Sequence, residues 1–321
     1  MSLLEVKELK KATADDFVLD KISFTIDDKG IYGFFGEKGC GKTLLASLIC
    51  GACEADGGSV IYKDNDICRS EKNAVAAKRK IGYVPAQCHF EKDATLVEVL
   101  DFTGRAKKVS PDKRARQIKE ALSLTGLEKL SDVLIEALTP SEKKRLAYAN
   151  ALIGNPDVVI IDEPLAVVDA AQKDEIKNLL TMLGKMKVVI LFAKNATGLE
   201  GLCSHVAILS GGKLAAYESL EELQSKLNET VSALLRVRCA GISDDELRGQ
   251  LATLDGVIDV KSCGSTGQIL EFKIECSTRD GMTTKIGAMI ESCGASVVSL
   301  KFSVLSLNDV IEVLSAQNEV E

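Results

Sequence analysis

Eight residues constrain this chain more than any others: Gly36-Glu37-Lys38-Gly39-Cys40-Gly41-Lys42-Thr43. They match G-x-x-x-x-G-K-[ST], a glycine-rich turn that wraps backbone N–H groups around phosphate oxygens. The apolar run Ile31-Tyr32-Gly33-Phe34-Phe35 before it predicts a buried strand, and Leu44-Leu45-Ala46-Ser47-Leu48-Ile49 after it predicts a helix start. Strand, glycine loop and helix together are the context the motif needs. Gly36, Gly39 and Gly41 let the backbone approach a phosphate closely, and the helix N-terminus adds its positive dipole end. Lys42 offers a point charge for β- and γ-phosphates. Thr43 offers a hydroxyl to Mg²⁺, a cation that prefers oxygen ligands.

A second strand is equally legible. Val158-Val159-Ile160-Ile161 is a continuous β-branched run that reads as buried on both faces, and it ends in Asp162-Glu163. Carboxylates at such a tip face the crevice where α/β sheets bind ligands. Asp162 is expected to hold Mg²⁺, and Glu163 to act as general base on an attacking water.

The rest of the chain falls into order around these two motifs. Alternation predicts strands over Leu3–Lys10, Lys21–Ile26 and Ser59–Tyr62, with a short strand at Ile81–Val84 that stops at Pro85. Helical spacing follows over Ala94–Arg105, Pro111–Thr125 and Pro140–Ile153, with proline at the first helical position of the last two. Gln172–Lys185 reads as a helix and Val188–Phe192 as another buried strand. Val206–Ser210 and Lys213–Tyr217 form a hairpin across Gly211-Gly212. Ser219–Thr230 reads as a polar helix and linker. Beyond it the pattern is strand, helix, strand, strand, helix, strand, from Val231–Cys239 through Asp244–Leu254, Val257–Ser262, Ile269–Glu275 and Arg279–Ser292 to Val297–Ser303. That is the ferredoxin-like order. A last helix is expected over Leu307–Leu314.

Composition bounds the function. At 321 residues, with 46% hydrophobic and 27% charged residues, the chain suits two soluble domains. A net charge of −7 argues against a nucleic-acid partner. No apolar stretch reaches the roughly 20 residues that cross a bilayer, and Met1–Lys7 is not a signal peptide, so a membrane role would come through a partner. The 10 cysteines are scattered. Cys50 and Cys53 have C-x-x-C spacing but no second pair to complete a zinc site, so they are expected to pack as small apolar residues in a reducing compartment.

The glycine loop, the Asp162-Glu163-Pro164 strand end and the helical insertion between them resemble the ATP-binding subunits of ABC transporters, over about Leu3 to Leu227. Asp169 falls where that family carries a further aspartate. The resemblance implies a P-loop NTPase fold of ABC type over residues 1–228, with a helical insertion at about 90–155. A small α+β ferredoxin-like accessory domain would fill residues 229–321, similar to the subfamily with separate ABC-2-type permeases. It implies ATP and Mg²⁺ as cofactors, ATPase activity, a transmembrane permease as partner, and a cytoplasmic place on the inner face of the cell membrane.

In that family two ATPase domains pair head to tail. Each ATP meets one chain's P-loop and the other chain's signature segment, usually Leu-Ser-Gly-Gly-Gln. The equivalent here is Leu138-Thr139-Pro140-Ser141-Glu142, with Lys143-Lys144-Arg145 behind it. Pro140 removes an N–H donor, Ser141 adds bulk and Glu142 brings negative charge. The same residues are a strong capping box, with Thr139 as N-cap and Glu142 at N3. The segment is therefore expected to start its helix but to read phosphate poorly. Leu209-Ser210-Gly211-Gly212-Lys213 imitates a signature but reads as a hairpin turn.

Three more positions depart from the family. The switch histidine is replaced by Lys194, expected to act as a point charge on the γ-phosphate. Pro85-Ala86 displaces the glutamine that usually follows the strand to Gln87. The adenine-stacking aromatic is absent from Lys10–Ala14, with Phe17 available as a substitute. These departures favour slow hydrolysis alone and a heterodimer with a partner bearing an intact signature. The competing reading is an ATP-dependent regulatory module whose C-terminal domain senses a ligand.

Overall fold

The computed structural model describes residues 2–14, 17–199, 201–220, 222, 231–239, 242–266, 269–277, 281–303, 307–308 and 311. Most of the expected helix and linker at Ser219–Thr230, the boundary at 228/229, the start of the helix expected from Arg279 and most of Leu307–Leu314 lie outside these residues. The chain divides into two compact units, one built on Met1–Ser219 and the other on Leu220–Val310.

The first unit opens with β1 (Leu4–Ala12), β2 (Val18–Ile26), β3 (Gly30–Phe35), α1 (Lys42–Ile49), β4 (Gly57–Tyr62), β5 (Asn65–Asp66), α2 (Glu71–Lys78) and β6 (Ile81–Val84). Three helices follow: α3 (Leu96–Ala106), α4 (Pro111–Leu124) and α5 (Pro140–Leu152). The unit continues with β7 (Val158–Asp162), α6 (Lys173–Met186), β8 (Val188–Ala193), β9 (His205–Ser210) and β10 (Lys213–Ser219).

Six of these strands form one sheet in the order β10-β9-β3-β8-β7-β6. It is parallel except at β10, which closes a hairpin with β9. Parallel strands are covered on both faces, which is why β7 and β8 are apolar throughout their middles rather than alternating. Val158, Val159, Ile160 and Ile161 are fully buried. The remaining strands make an antiparallel sheet, β2-β1-β4-β5, with the expected alternation. Phe34 on β3 packs between Phe24 on β2 and Phe192 on β8, with ring centroids 4.8 and 5.1 Å apart. Helices α3 to α5 carry their own small core, including Leu100, Ile118, Leu122 and Leu146.

Helix α2 has no counterpart in the sequence expectations. Its residues, Glu-Lys-Asn-Ala-Val-Ala-Ala-Lys, bury only Ala77, so no apolar stripe announces it. It is set by a cap instead: the Ser70 hydroxyl accepts from the Asn73 N–H.

The second unit runs β11 (Val231–Arg238), α7 (Asp244–Ala252), β12 (Val257–Thr266), β13 (Ile269–Cys276), α8 (Met282–Ser292) and β14 (Ser296–Ser303). Its antiparallel sheet has the order β12-β13-β11-β14. Leu235, Phe272 and Ile274 from the sheet and Leu247, Ile286 and Ile290 from the helices make its core. Element order and strand order are those of a ferredoxin-like βαββαβ unit. Among the described residues, no helix is long and apolar enough to cross a membrane.

Candidate nucleotide site

Three segments far apart in sequence meet because β8 lies between β3 and β7. The loop 36–41 leaves the C-terminal end of β3, Asp162 and Glu163 stand at that end of β7, and Lys194 follows β8. This is the edge of a parallel sheet at which crevices open.

The loop itself is held by close packing. A Cβ on Gly36 would lie 2.2 Å from the Leu209 carbonyl oxygen on β9 and 2.7 Å from Cys40 Sγ. Only glycine fits there. Gly36→Ala is expected to push β9 away from the loop, costing about 1–3 kcal/mol by overpacking. A thermal melt should show Tm falling by several degrees, with weaker ATP binding. Gly41 is the N-cap of α1 at φ +102°, and no side chain caps that helix end. The first turn of α1 has no side-chain cap and no acidic residue of its own, which leaves its leading N–H groups available to an anion. Phe17 covers the other side of Gly41, its Cζ 2.9 Å from where a Cβ would stand.

Lys42 is 7% exposed. Its Nζ folds back over the loop and donates to the carbonyl oxygens of Gly36 at 2.6 Å and Glu37 at 2.8 Å, with Cys40 Sγ at 3.6 Å. The ammonium therefore sits inside the curve of the loop. Glu37, Lys38 and Gly39 lie on its exposed rim.

The Thr43 hydroxyl donates to Asp162 Oδ2 at 2.7 Å across 119 residues of sequence. Asp162 is 1% exposed. A neutral hydroxyl and a carboxylate side by side are a hard-oxygen pair suited to Mg²⁺. Beside them Glu163 adopts a left-handed backbone, φ +50°, pinned by its N–H donating to the Phe192 carbonyl at 2.8 Å. Such strain in a non-glycine residue persists where the surroundings over-determine it, often at functional sites. Burial pushes the Glu163 carboxyl above its usual pKa, and the neighbouring Asp162 adds to this. Lys42, Lys144 and the Lys194 N–H pull the other way. A carboxylate made more basic in this manner can take a proton from water.

Lys194 pairs with Glu37 at 3.1 Å, both side chains more than half exposed. Such a surface pair is worth at most about 1 kcal/mol, so the ammonium is free to exchange Glu37 for a phosphate. Gln87 is exposed beyond β6 and, among the described residues, forms no hydrogen bond to Thr43, Asp162 or Glu163.

Helix α5 begins as its capping box predicts. Glu142 accepts from the Thr139 N–H and hydroxyl, both at 2.8 Å, while the Glu142 N–H donates to Thr139 Oγ1 at 3.2 Å. Ser141 is 2% exposed, and its hydroxyl donates to Gln172 Oε1 at 2.6 Å. The segment Leu209–Lys213 is a hairpin turn between β9 and β10.

Two buried polar ties escaped sequence reasoning. Lys144 donates to the carbonyls of Pro85 at 2.8 Å and Asp162 at 2.9 Å, and Tyr148 donates to the Pro164 carbonyl at 2.8 Å. Burial lowers the Lys144 pKa, opposed by Cys88, Asp162 and Glu163. A lysine in a run of charged residues reads as solvated, so no local signal pointed inward. The ten cysteines are free, and among the described residues no cluster suits a metal.

A P-loop at the edge of a parallel sheet, facing an aspartate–glutamate strand tip, defines a nucleotide-hydrolysing P-loop ATPase. Residues 19–166 match the family model "ABC transporter". The chain is 27% identical over 227 residues to the lipopolysaccharide export ATP-binding protein LptB of Haemophilus influenzae, covering 70% of this chain and 94% of that one. It is 26% identical over 276 residues to the linearmycin resistance ATP-binding protein LnrL of Bacillus subtilis, 86% and 85% of the two chains. Among solved structures it resembles cbiO1 of Clostridium perfringens, part of the cbiONQ ABC transporter complex, with TM-score 0.60 and 25% identity over 71% of this chain and 94% of the other. Over residues 19–166 the chain is thus similar to the ATP-binding domains of ABC transporters.

Proposed function

We propose that this chain is one ATPase subunit of a transporter. It turns ATP binding and hydrolysis into motion of a separate membrane permease, on the cytoplasmic face of the membrane that holds that partner. The relatives' names support transport, and the likeness to LnrL, which covers 86% of this chain, reaches into the second unit. The single observation that carries the mechanism is the 2.7 Å contact between Thr43 and Asp162 with Glu163 beside it.

The loop amides of Gly39 to Thr43 would receive the β-phosphate, and Lys42 would bridge β- and γ-phosphates. Thr43 and Asp162 would hold Mg²⁺, which neutralises charge on the phosphates when bound. Glu163 would orient the attacking water and take its proton. Lys194 would leave Glu37 to donate to the γ-phosphate. Gln87 would meet magnesium or the permease after a shift of its loop.

A second ATPase subunit would complete the site, preferably a different chain with an intact signature. The capping box uses the Thr139 hydroxyl, and Ser141 is turned inward to Gln172. That leaves little to read a partner's γ-phosphate. Val167, close to Asp169, is 60% exposed at φ +56°, a strained setting for a β-branched residue that a neighbouring subunit would cover.

Phosphate release by the purified chain alone tests this. Turnover should fall well below the roughly 1–10³ s⁻¹ of typical enzymes. A fast rate that Glu163→Gln abolishes would remove the need for a different partner. Copurification with a soluble protein instead of a permease would favour the regulatory reading.

A further inference from the structure

Lys144 sits on the second turn of α5, three residues before Ala147 and four before Tyr148, and is fully buried. Burying an ammonium is costly unless its donors are satisfied. Among the described residues, its hydrogen bonds go to carbonyl oxygens only: Pro85, on the loop after β6, and Asp162, at the tip of β7. One ammonium thus joins three segments. The helix comes from the Thr139–Glu142 start, the first loop runs on to Gln87 two residues later, and the second runs directly into Glu163.

Glu163 depends on that tie. Its left-handed backbone is held on one side by the Phe192 carbonyl, which accepts its N–H. On the other side the preceding peptide carbonyl, that of Asp162, is the one Lys144 grips. The plane of the peptide that links Asp162 to Glu163 is therefore clamped at both its oxygen and its nitrogen. Rotation of that peptide would swing the Glu163 side chain. A residue at 144 with no side-chain donor would leave the Asp162 carbonyl unpaired and free the peptide to turn.

We propose that Lys144 is a positioning residue for hydrolysis, fixing the Asp162–Glu163 peptide and coupling it to the loop that begins at Pro85. It touches neither substrate nor reacting atoms. It acts through Glu163, so the proposal rests on the assignment of Glu163 as general base. In this role any movement of α5 against β6 is felt at the base within one hydrogen bond.

The experiment uses the full chain, with radiolabelled MgATP under single-turnover conditions so that a slow rate is readable. Lys144→Met should lower the rate of the chemical step roughly 10- to 100-fold, the size expected when a catalytic group is misplaced by about an ångström. The Kd for MgATP, from a fluorescent nucleotide, should change less than about two-fold, because the P-loop is untouched. Lys144→Arg, which keeps charge and donors, should recover most of the rate. A purely structural residue would instead lose melting temperature and nucleotide affinity together. If Lys144→Met does not fold, Lys144→Leu, which also lacks a donor, carries the same test. Full activity in a folded Met or Leu variant overturns the proposal, as does a loss that arginine fails to rescue. Glu163→Gln runs in parallel. If it retains turnover, the assignment of the base is wrong and both ideas fall. If it abolishes turnover while Lys144→Met does not, only the role of Lys144 falls.

Discussion

Lys42→Ala is expected to weaken MgATP binding roughly 10²-fold or more, read by calorimetry on the purified chain. The Nζ lies inside the loop, 2.6 and 2.8 Å from the carbonyls of Gly36 and Glu37, and its side chain is nearly wholly buried. Those carbonyls point their partial negative charge at the same hollow that a triphosphate must enter. With the ammonium present, their field is offset and the phosphate gains a charge-assisted donor, worth about 1.5–3 kcal/mol per hydrogen bond. With alanine, the donor is gone and the carbonyls are left facing the anion. Removing two such hydrogen bonds costs about 3 kcal/mol or more, which is the stated factor at roughly 1.4 kcal/mol per decade. The fold should survive, because the loop is anchored by Gly36 against β9 and by the Gly36 N–H donating to the Lys194 carbonyl at 3.3 Å. An unchanged affinity in a folded Lys42→Ala chain would mean that nucleotide binds elsewhere.

The parts of this site that were legible in sequence share one property: their function demands a fixed local spacing. The loop 36–43 must be a strand–turn–helix junction, so its residues appear together. The strand Val158–Ile161 must be apolar on both faces, so its end points to Asp162 and Glu163 without any need for the fold. The capping box at Thr139 and Glu142 is equally local, and it forms as expected. What sequence could not supply was contact across the sheet. That Thr43 reaches Asp162 depends on β8 lying between β3 and β7, a matter of strand order. The Glu37–Lys194 pair arises from the same adjacency. Lys144 was hidden for a different reason: its charge argues for solvent, and only the paired carbonyls of Pro85 and Asp162 explain its burial. Helix α2 was missed because a cap, not an apolar stripe, sets it. Gln87 was placed by family spacing, one residue later than usual, and it is exposed on the loop after β6.

Glu163→Gln separates binding from chemistry, and its expected effect on turnover is the largest of any single change. General base catalysis contributes typically 10²–10⁴-fold, so turnover should fall by about that factor. The amide is isosteric with the carboxyl and keeps the same backbone, so the bond from the residue-163 N–H to Phe192 and the clamp from Lys144 remain. Nucleotide affinity should hold or rise. The carboxylate stands beside Asp162 and within the field of Lys42, as the opposing influences on its pKa show. Removing its charge leaves Lys42 and Lys144 less compensated near an incoming triphosphate, which favours the anion. The measurement is a pair: Kd for MgATP by calorimetry and the single-turnover rate by phosphate release. Binding preserved with chemistry lost places Glu163 at the water. Loss of both would make it a structural prop of the β7 tip. Retention of both would move the base to another group, and Asp169, seven residues beyond Asp162 on the same connection, is the carboxylate to replace next. The second and third outcomes differ in one further respect. A prop would lower the melting temperature with the activity, whereas a bystander would alter neither, so a thermal melt of the same sample decides between them.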